Sequence, residues 1–457
     1  MQCAGQRTDL NLEPIGAPVN VLIKMTDDIL PDPGAILVTG ITPQQTIADG
    51  ISEAEFLKLF HEEVAIPDTI FVGYNTVRFD DEFMRYLHYR NFYDPYEWQW
   101  QDGRSRWDLL DVVRMTRALR PEGIEWPFAP DGKPSNRLEL LTAVNKLEHV
   151  GAHDALSDVR ATIALAKLIR SKQPKLFDFL LTLRDKKKVT ELVKAGGPFT
   201  YTSGKYPSEF EKTTVVTVLA DHPKRQGVLV YDLRYDPTLF AKMSVSELAS
   251  AWQWQEDETS PRLPIKTLQF NRCPAVAPLS VLDETSQERL NIDIKTINEN
   301  QKKLAEIKDW PAKILAALEI LDKKQQASFI VDEQDVDSQL YNRFFDDQDR
   351  QRLGAVRAAG PGELSALHLQ FHDQRLIALL PLYKARNFPT KLTDEERQAW
   401  EEYRMHKLIA GGASSRAAKF GIKLQTIVEQ GHPTKREKDL LEDLQLYAES
   451  IIPVAGE

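Results

Sequence analysis

Two carboxylate-bearing segments of this chain combine residue types and spacings that suit chemistry. The first is Gly73-Tyr74-Asn75-Thr76-Val77-Arg78-Phe79-Asp80-Asp81-Glu82-Phe83, an apolar run that enters a polar turn and then an acidic triplet. Acids in a first helical turn favour the helix dipole, which accounts for Asp81 and Glu82 as caps. Asp80 follows the apolar Phe79 at the strand–helix junction. A carboxylate on so rigid an element is a suitable hard-oxygen ligand for Mg²⁺, and simple capping fits the same position. The second segment is His153-Asp154-Ala155-Leu156-Ser157-Asp158. Val159, Ile163, Ala166 and Ile169 continue it at helical spacing, which puts Asp158 near the first turn of an amphipathic helix and His153 on the loop before it. A helix-borne carboxylate can hold a metal while a loop histidine takes a proton from water. A solvated helix start is the plainer reading of the same residues.

A third feature is compositional. From Arg78 to Arg120 there are eight arginines (78, 85, 90, 104, 106, 114, 117, 120) and no lysine, and Phe92, Tyr93, Tyr96, Trp98, Trp100 and Trp107 lie within that stretch. Arginine forks onto phosphate and aromatic faces stack on unpaired bases, so the segment fits a single-strand channel. It equally fits a core fringed by surface arginines. Other enzyme classes drop out. Gly204-Lys205 fails the phosphate-loop pattern, because Phe199 stands where glycine is needed and Tyr206 where Ser or Thr is needed. Neither a G-x-S-x-G elbow nor an H-E-x-x-H helix nor a C-x-x-C pair occurs. Lys186-Lys187-Lys188 reads as a solvated helix face.

The elements that must position these residues fall into three regions. Up to about Gln173, β-type runs at Val19–Lys24, Gly34–Gly40 and Thr69–Tyr74 alternate with helices, one of which spans Ser52–Val64 behind a Ser52/Glu55 capping box. After the break at Lys172-Gln173-Pro174 the pattern becomes β: Thr213–Leu219 and Gly227–Leu233 form a hairpin, Ile265–Phe270 adds a strand, and helices follow over Asp283–Lys323. From about Asp332 the chain is mainly helical, with a Thr393/Glu396 capping box before a helix through Trp400 and a flexible connection at Gly411–Ser415. At 457 residues the chain holds two to four domains. Its 58 basic and 68 acidic residues give a net charge of −10, which argues against coating nucleic acid non-specifically but not against a local basic groove. Two cysteines, Cys3 and Cys273, cannot build a disulfide framework, so a reducing cytoplasm is the expected location. Apolar runs long enough to span a bilayer are absent from the sequence.

Taken together, the segments GYNTVRFDDEF, RNFYDPYEWQWQDGRSRWDLLDV, LRPEGIEWP, NRLELLT and AHDALSDVRATIALAKLI resemble the DEDD superfamily of 3′→5′ exonucleases in its His-containing branch. More closely, they resemble the bacterial exodeoxyribonuclease I family. The similarity returns at DSQLYN (Asp337–Asn342) and YKARNFP (Tyr383–Pro389). It implies an α/β RNase H-like nuclease domain over residues 1–173, an SH3-like β domain with flanking helices over 174–330, and a C-terminal helical domain over 331–457. The implied activity is 3′→5′ degradation of single-stranded DNA to 5′-mononucleotides by two-metal hydrolysis with Mg²⁺, in DNA repair or recombination. Asp80 and Asp158 would be acidic metal-site residues, His153 would deprotonate or orient the attacking water, and Arg137 would hold a substrate phosphate. Arg85, Tyr96, Trp100 and Arg114 would line the DNA path. The implied partners are single-stranded DNA and the acidic C-terminal tail of single-strand DNA-binding protein, with the enzyme a monomer. The family's first motif, a strand carrying D-x-E-T, should stand before Gln2–Asp9 and does not occur in this sequence, so the polypeptide as written is expected to be impaired and its start to be assigned too far downstream. The competing reading is a non-catalytic module that binds single-stranded DNA or the single-strand-binding protein.

Overall fold

The computed structural model describes residues 1–147, 154–253, 261–328, 335–367, 369–431 and 433–453. The first strands, β1 (Gln2–Gly5) and β2 (Val19–Leu22), pair antiparallel with Gln2 opposite Leu22. Helices α1 (Pro33–Thr39), α2 (Pro43–Asp49) and α3 (Glu53–Leu59) follow. The expected strand at Gly34–Gly40 is α1 instead. Asp32 accepts from the amides of Gly34 and Ala35 as an N-cap, Pro33 occupies the first helical turn, and Gly40 closes the helix at φ 68°. The apolar run Ala35–Val38 looks β-like, but these local caps and packing against the C-terminal helices decide for helix. The Ser52/Glu55 capping box before α3 is formed as expected, and the helix widens into a π turn over Phe60–Val64.

Strand β3 (Ile70–Gly73) leads through a tight turn into α4 (Asp80–Arg90), and β4 (Ser105–Asp108) runs directly into α5 (Leu109–Leu119). β3 and β4 are parallel, with Gly73 opposite Asp108. Helices α6 (Leu138–Val144), α7 (Ala155–Lys172), α8 (Pro174–Thr182) and α9 (Lys186–Lys194) complete this part, with Pro174 at the head of α8 separating it from α7. The β region is an antiparallel sheet of β5 (Phe199–Thr202), β6 (Thr213–Asp221), β7 (Gly227–Asp232), β8 (Ile265–Gln269) and β9 (Ala275–Pro278), ordered β8-β7-β6-β5-β9. The expected hairpin is β6–β7, which carries a bulge between Val218 and Ala220. Helices α10 (Thr238–Ala241) and α11 (Val245–Trp252) lie between β7 and β8, and α12 (Glu284–Leu290), α13 (Ile294–Glu306) and α14 (Trp310–Ser328) follow β9.

The last region is helical: α15 (Asp347–Ala358), α16 (Gln374–Asn387), α17 (Asp394–Ile409), α18 (Arg416–Gln430) and α19 (Lys435–Ile451). The Thr393/Glu396 capping box opens α17, which runs on past Trp400 to Ile409. One core extends without a break from Trp107 through α5, α7 and the five-stranded sheet to Leu318. A second core joins Tyr89 and Phe92 to α15 and α16. The elements around β3, β4, α4 and α5 are therefore held on both sides by apolar packing, which fixes the orientation of the turns described next.

Candidate active site

The turn after β3 is where the backbone departs from regular structure. Asn75 adopts a left-handed conformation at φ 66°, Thr76–Arg78 makes a single tight turn, and α4 begins at Asp80. A side chain at Gly73 would meet Thr76 Cγ2 at 2.0 Å, so only glycine lets the strand end here. Asp108, opposite Gly73, holds the turn. Its carboxylate accepts from the amides of Asn75 (2.9 Å) and Val77 (3.1 Å) and also from that of Leu110 (2.9 Å), which caps α5. The Tyr74 hydroxyl donates to the carbonyl of Asn136, tying the turn to the segment that carries Arg137.

Asp80 emerges from this turn partly exposed, on the lining of a cleft. Desolvation by its surroundings, with a smaller contribution from the like charge of Asp108, raises its carboxyl above the ordinary aspartate value. Cys3 on β1 senses the same charge: burial and then Asp80 push its thiol up to about 11. Asp158 lies in the first turn of α7, which Asp154 caps by accepting from the Ser157 amide at 3.0 Å. Asp80, Asp158, Arg137 and Arg114 all line one cleft of about 1780 Å³ between the β1–β2 pair and the β3–β4 pair, which form separate sheets. His153 lies outside the described residues.

These carboxylates suit a divalent cation. Both are hard-oxygen donors on fixed elements that line one cleft. Among the described residues, the one set of three such donors that lie within reach of one another is Asp346, Asp349 and His372. Their carboxylates are spent on the amides of Asp349, His372 and Asp373.

The remaining expected site residues divide. Arg137 is largely exposed and pairs with Glu139. Arg114 reaches the cleft while bonded to Asp111 at 2.6 Å. Trp100 is 62% exposed, the posture of a stacking platform rather than of a core residue. Tyr96 packs against Phe344 from the C-terminal region with ring centroids 5.4 Å apart. Arg85 is buried, bonded to Glu82 at 2.6 Å, with its guanidinium 5.7 Å from the Tyr96 ring centroid, so it braces that ring from within. Arg85, Tyr96 and Trp100 are not among the residues lining the cleft.

The single-strand-channel reading of the whole Arg78–Arg120 stretch needs correction. Phe92, Trp98 and Trp107 are core residues, and Arg85, Arg104 and Arg117 are buried against internal partners. Arginine's fork is used here chiefly on carboxylates and backbone carbonyls, because the segment threads three packed elements and needs long donors to satisfy them. Asp81 likewise is no simple cap: it is buried and paired with Arg106. Sequence reasoning missed Asp108 and the exposed pair Phe79 and Phe83, whose rings stand 5.0 Å apart beside Asp80. The signal for the pair was its i, i+4 spacing around the acidic triplet. Asp108 offered only a Trp-Asp step at a strand end.

Three family models match successive parts of the chain: Exonuclease over residues 2–166, Exonuclease I SH3-like domain over 184–320, and Exonuclease I C-terminal domain over 334–451. Exodeoxyribonuclease I of Escherichia coli (strain K12) is 40% identical over 456 residues, which is 99% of this chain and 94% of the relative. The chain belongs to the exonuclease I family. Its architecture is accordingly an RNase H-like exonuclease domain, an SH3-like β domain and a C-terminal helical domain. The solved Exonuclease I from Methylocaldum szegediense superposes with a TM-score of 0.91 at 42% identity, covering 99% of this chain and 95% of that one. E. coli Exonuclease I in complex with a dA16 oligonucleotide gives 0.92 at 40% identity with the same coverage. Solved structures of the exonuclease I family also include a zinc-bound ExoI–ssDNA complex and an SSB/Exonuclease I complex with an inhibitor. Among the described residues, no helix is long and apolar enough to cross a membrane.

Proposed function

We propose that this protein is a metal-dependent 3′→5′ exodeoxyribonuclease that removes 5′-mononucleotides from single-stranded DNA, acting in DNA repair. The observation that carries the reading is the convergence of Asp80, Asp158, Arg137 and Arg114 on one cleft, in a chain of the exonuclease I family. Asp80 and Asp158 would hold Mg²⁺, the hard cation their oxygen donors suit. When bound, the metal supplies Lewis-acid stabilisation of the phosphodiester oxygens and lowers the pKa of water. The chain's own residues do the rest. His153 accepts a proton from the attacking water, and Arg137, largely exposed beside Glu139, neutralises the terminal phosphate. Trp100 and Tyr96 offer faces to unpaired bases, with Arg85 fixing the Tyr96 ring and Arg114 placing positive charge beside the cleft.

Family-model matches to residues 2–166, 184–320 and 334–451 support domains of 1–173, 174–330 and 331–457. The SSB complex within the family supports a partner role for the acidic tail of single-strand DNA-binding protein. We place the enzyme in the cytoplasm as a monomer. The test is a 3′-labelled single strand incubated with Mg²⁺ and the protein. Asp80→Asn and Asp158→Asn should each lower mononucleotide release at least 100-fold while leaving salt-sensitive strand binding in place. Release that survives both substitutions removes the metal-site assignment. A salt-sensitive shift with no release, both from this chain and from one supplied with a D-x-E-T strand ahead of Gln2, identifies a binding module instead.

A further inference from the structure

We propose that Asp108 is a positioning residue for Asp80, setting the pose of the turn that presents it to the cleft. This rests on the reading of Asp80 as a metal ligand. β3 and β4 end side by side, Gly73 against Asp108, and then diverge: β4 continues straight into α5 while β3 must turn before α4. The turn's own hydrogen bonds are long, 3.4 Å from Arg78 N–H to the Asn75 carbonyl and 3.2 Å from Phe79 N–H to that of Thr76. Asn75 also sits in a left-handed conformation, which asparagine tolerates better than other non-glycine residues. Asp108 pins the turn in that pose. One oxygen takes the Asn75 and Leu110 amides at 2.9 Å each, and the other takes the Val77 amide at 3.1 Å. A single buried carboxylate therefore locks the turn to the start of α5, and Asp80 stands only three residues beyond Val77. Outer partners of this kind that fix a ligand's orientation typically change metal affinity 10- to 100-fold when lost.

The experiment measures Mn²⁺ affinity of the full chain by electron paramagnetic resonance of the free ion, alongside single-strand binding in EDTA. Asp108→Asn keeps one acceptor oxygen but turns an N–H₂ toward the Val77 amide. Asp108→Ser keeps the α5 cap but cannot span to Asn75 and Val77, so it guards against simple misfolding. Asp293→Ala removes a comparable cap, which accepts from Lys295 and Thr296 amides at 3.1 Å each and is remote in sequence from the turn. Both Asp108 variants should weaken Mn²⁺ binding about 10-fold or more with strand affinity in EDTA unchanged, and Asp293→Ala should lower only the melting temperature. In an Asp80→Asn background the Asp108 substitutions should add nothing further. If Asp80→Asn weakens Mn²⁺ binding and the Asp108 variants do not, or if their effects add, the inference about Asp108 is overturned and the ligand assignment stands. If Asp80→Asn itself leaves Mn²⁺ binding unchanged, the ligand assignment falls.

Discussion

The sharpest test of how the loop after β2 is held to the C-terminal helices concerns a buried charge square. Asp28, in the loop after β2, bonds Arg386 of α16 and Lys407 of α17 at 2.7 Å each. Both cations also bond Asp337, and Lys407 does so at 2.7 Å. The side chains of Asp28, Arg386 and Lys407 are 0%, 1% and 5% exposed. Two cations and two anions thus balance with almost no water. Burial alone would raise Asp28 and Asp337, but Arg386 and Lys407 hold both well below the ordinary aspartate value. Asp28→Ala leaves two cations facing one carboxylate, and breaking a buried pair in this way costs about 3–5 kcal/mol. The Asp28→Leu/Lys407→Met double variant removes one charge of each sign and leaves Arg386 with Asp337, so it should recover much of that loss. Urea unfolding at pH 7, followed by circular dichroism and by tryptophan fluorescence in the protein and in a Trp400→Phe background, measures both effects, since the Trp400 ring lies 5.9 Å from the Arg386 guanidinium. A cost below about 1 kcal/mol for Asp28→Ala, the range of an exposed pair, would refute the reasoning. The pH dependence has a fixed sign. Because the folded-state values are depressed, the square stabilises fully above the unfolded aspartate value of about 3.9 and its contribution is lost as pH falls through the lower folded values.

The His61–His88 pair responds to a different window. Their Nε2 atoms are 3.0 Å apart, and burial first, then the Arg357 charge for His61 and the neighbouring His61 for His88, push the two down to about 4 and about 3. The unfolded chain takes up protons near pH 6.5 while the folded chain does not, so stability should decline from about pH 6.5 toward 4 and flatten once both rings protonate in the fold. Melting temperatures across that range check this, and a His61→Phe/His88→Leu variant should flatten the slope; an unchanged slope contradicts it. Trp100→Ala should weaken single-strand binding by about 1–3 kcal/mol per stacked base without altering the melting temperature, because the ring is 62% exposed. Equal affinity in a fluorescence-anisotropy titration would remove Trp100 from the DNA path.

Features encoded over a few residues could be read directly from the chain. The Ser52/Glu55 and Thr393/Glu396 capping boxes, the β6–β7 hairpin, the helix start at Asp80 and the first-turn position of Asp158 all depend on neighbours at fixed short spacing. So does membership of the exonuclease I family, carried by the order of its motifs. Where local signals conflicted, local periodicity alone misled: Ala35–Val38 looks β-like, yet Asp32, Pro33 and Gly40 cap a helix there. Aromatic and arginine content between Arg78 and Arg120 likewise could not say which groups face water. Trp98 and Trp107 are buried while Trp100 projects outward, because that sorting depends on tertiary packing: Trp98 enters a cluster with Phe56, Phe60 and Leu87, and Trp107 packs against Phe177 of α8. Arg386 of YKARNFP and Asp337 of DSQLYN are salt-bridge partners of a carboxylate and an ammonium brought together only by folding, Asp28 lying 358 residues from Arg386. Asp108 shows the same division most plainly. Its type and its place at a strand end are in the sequence, but two of the three amides it binds lie more than 30 residues earlier. Only the parallel pairing of β3 with β4 puts them within reach.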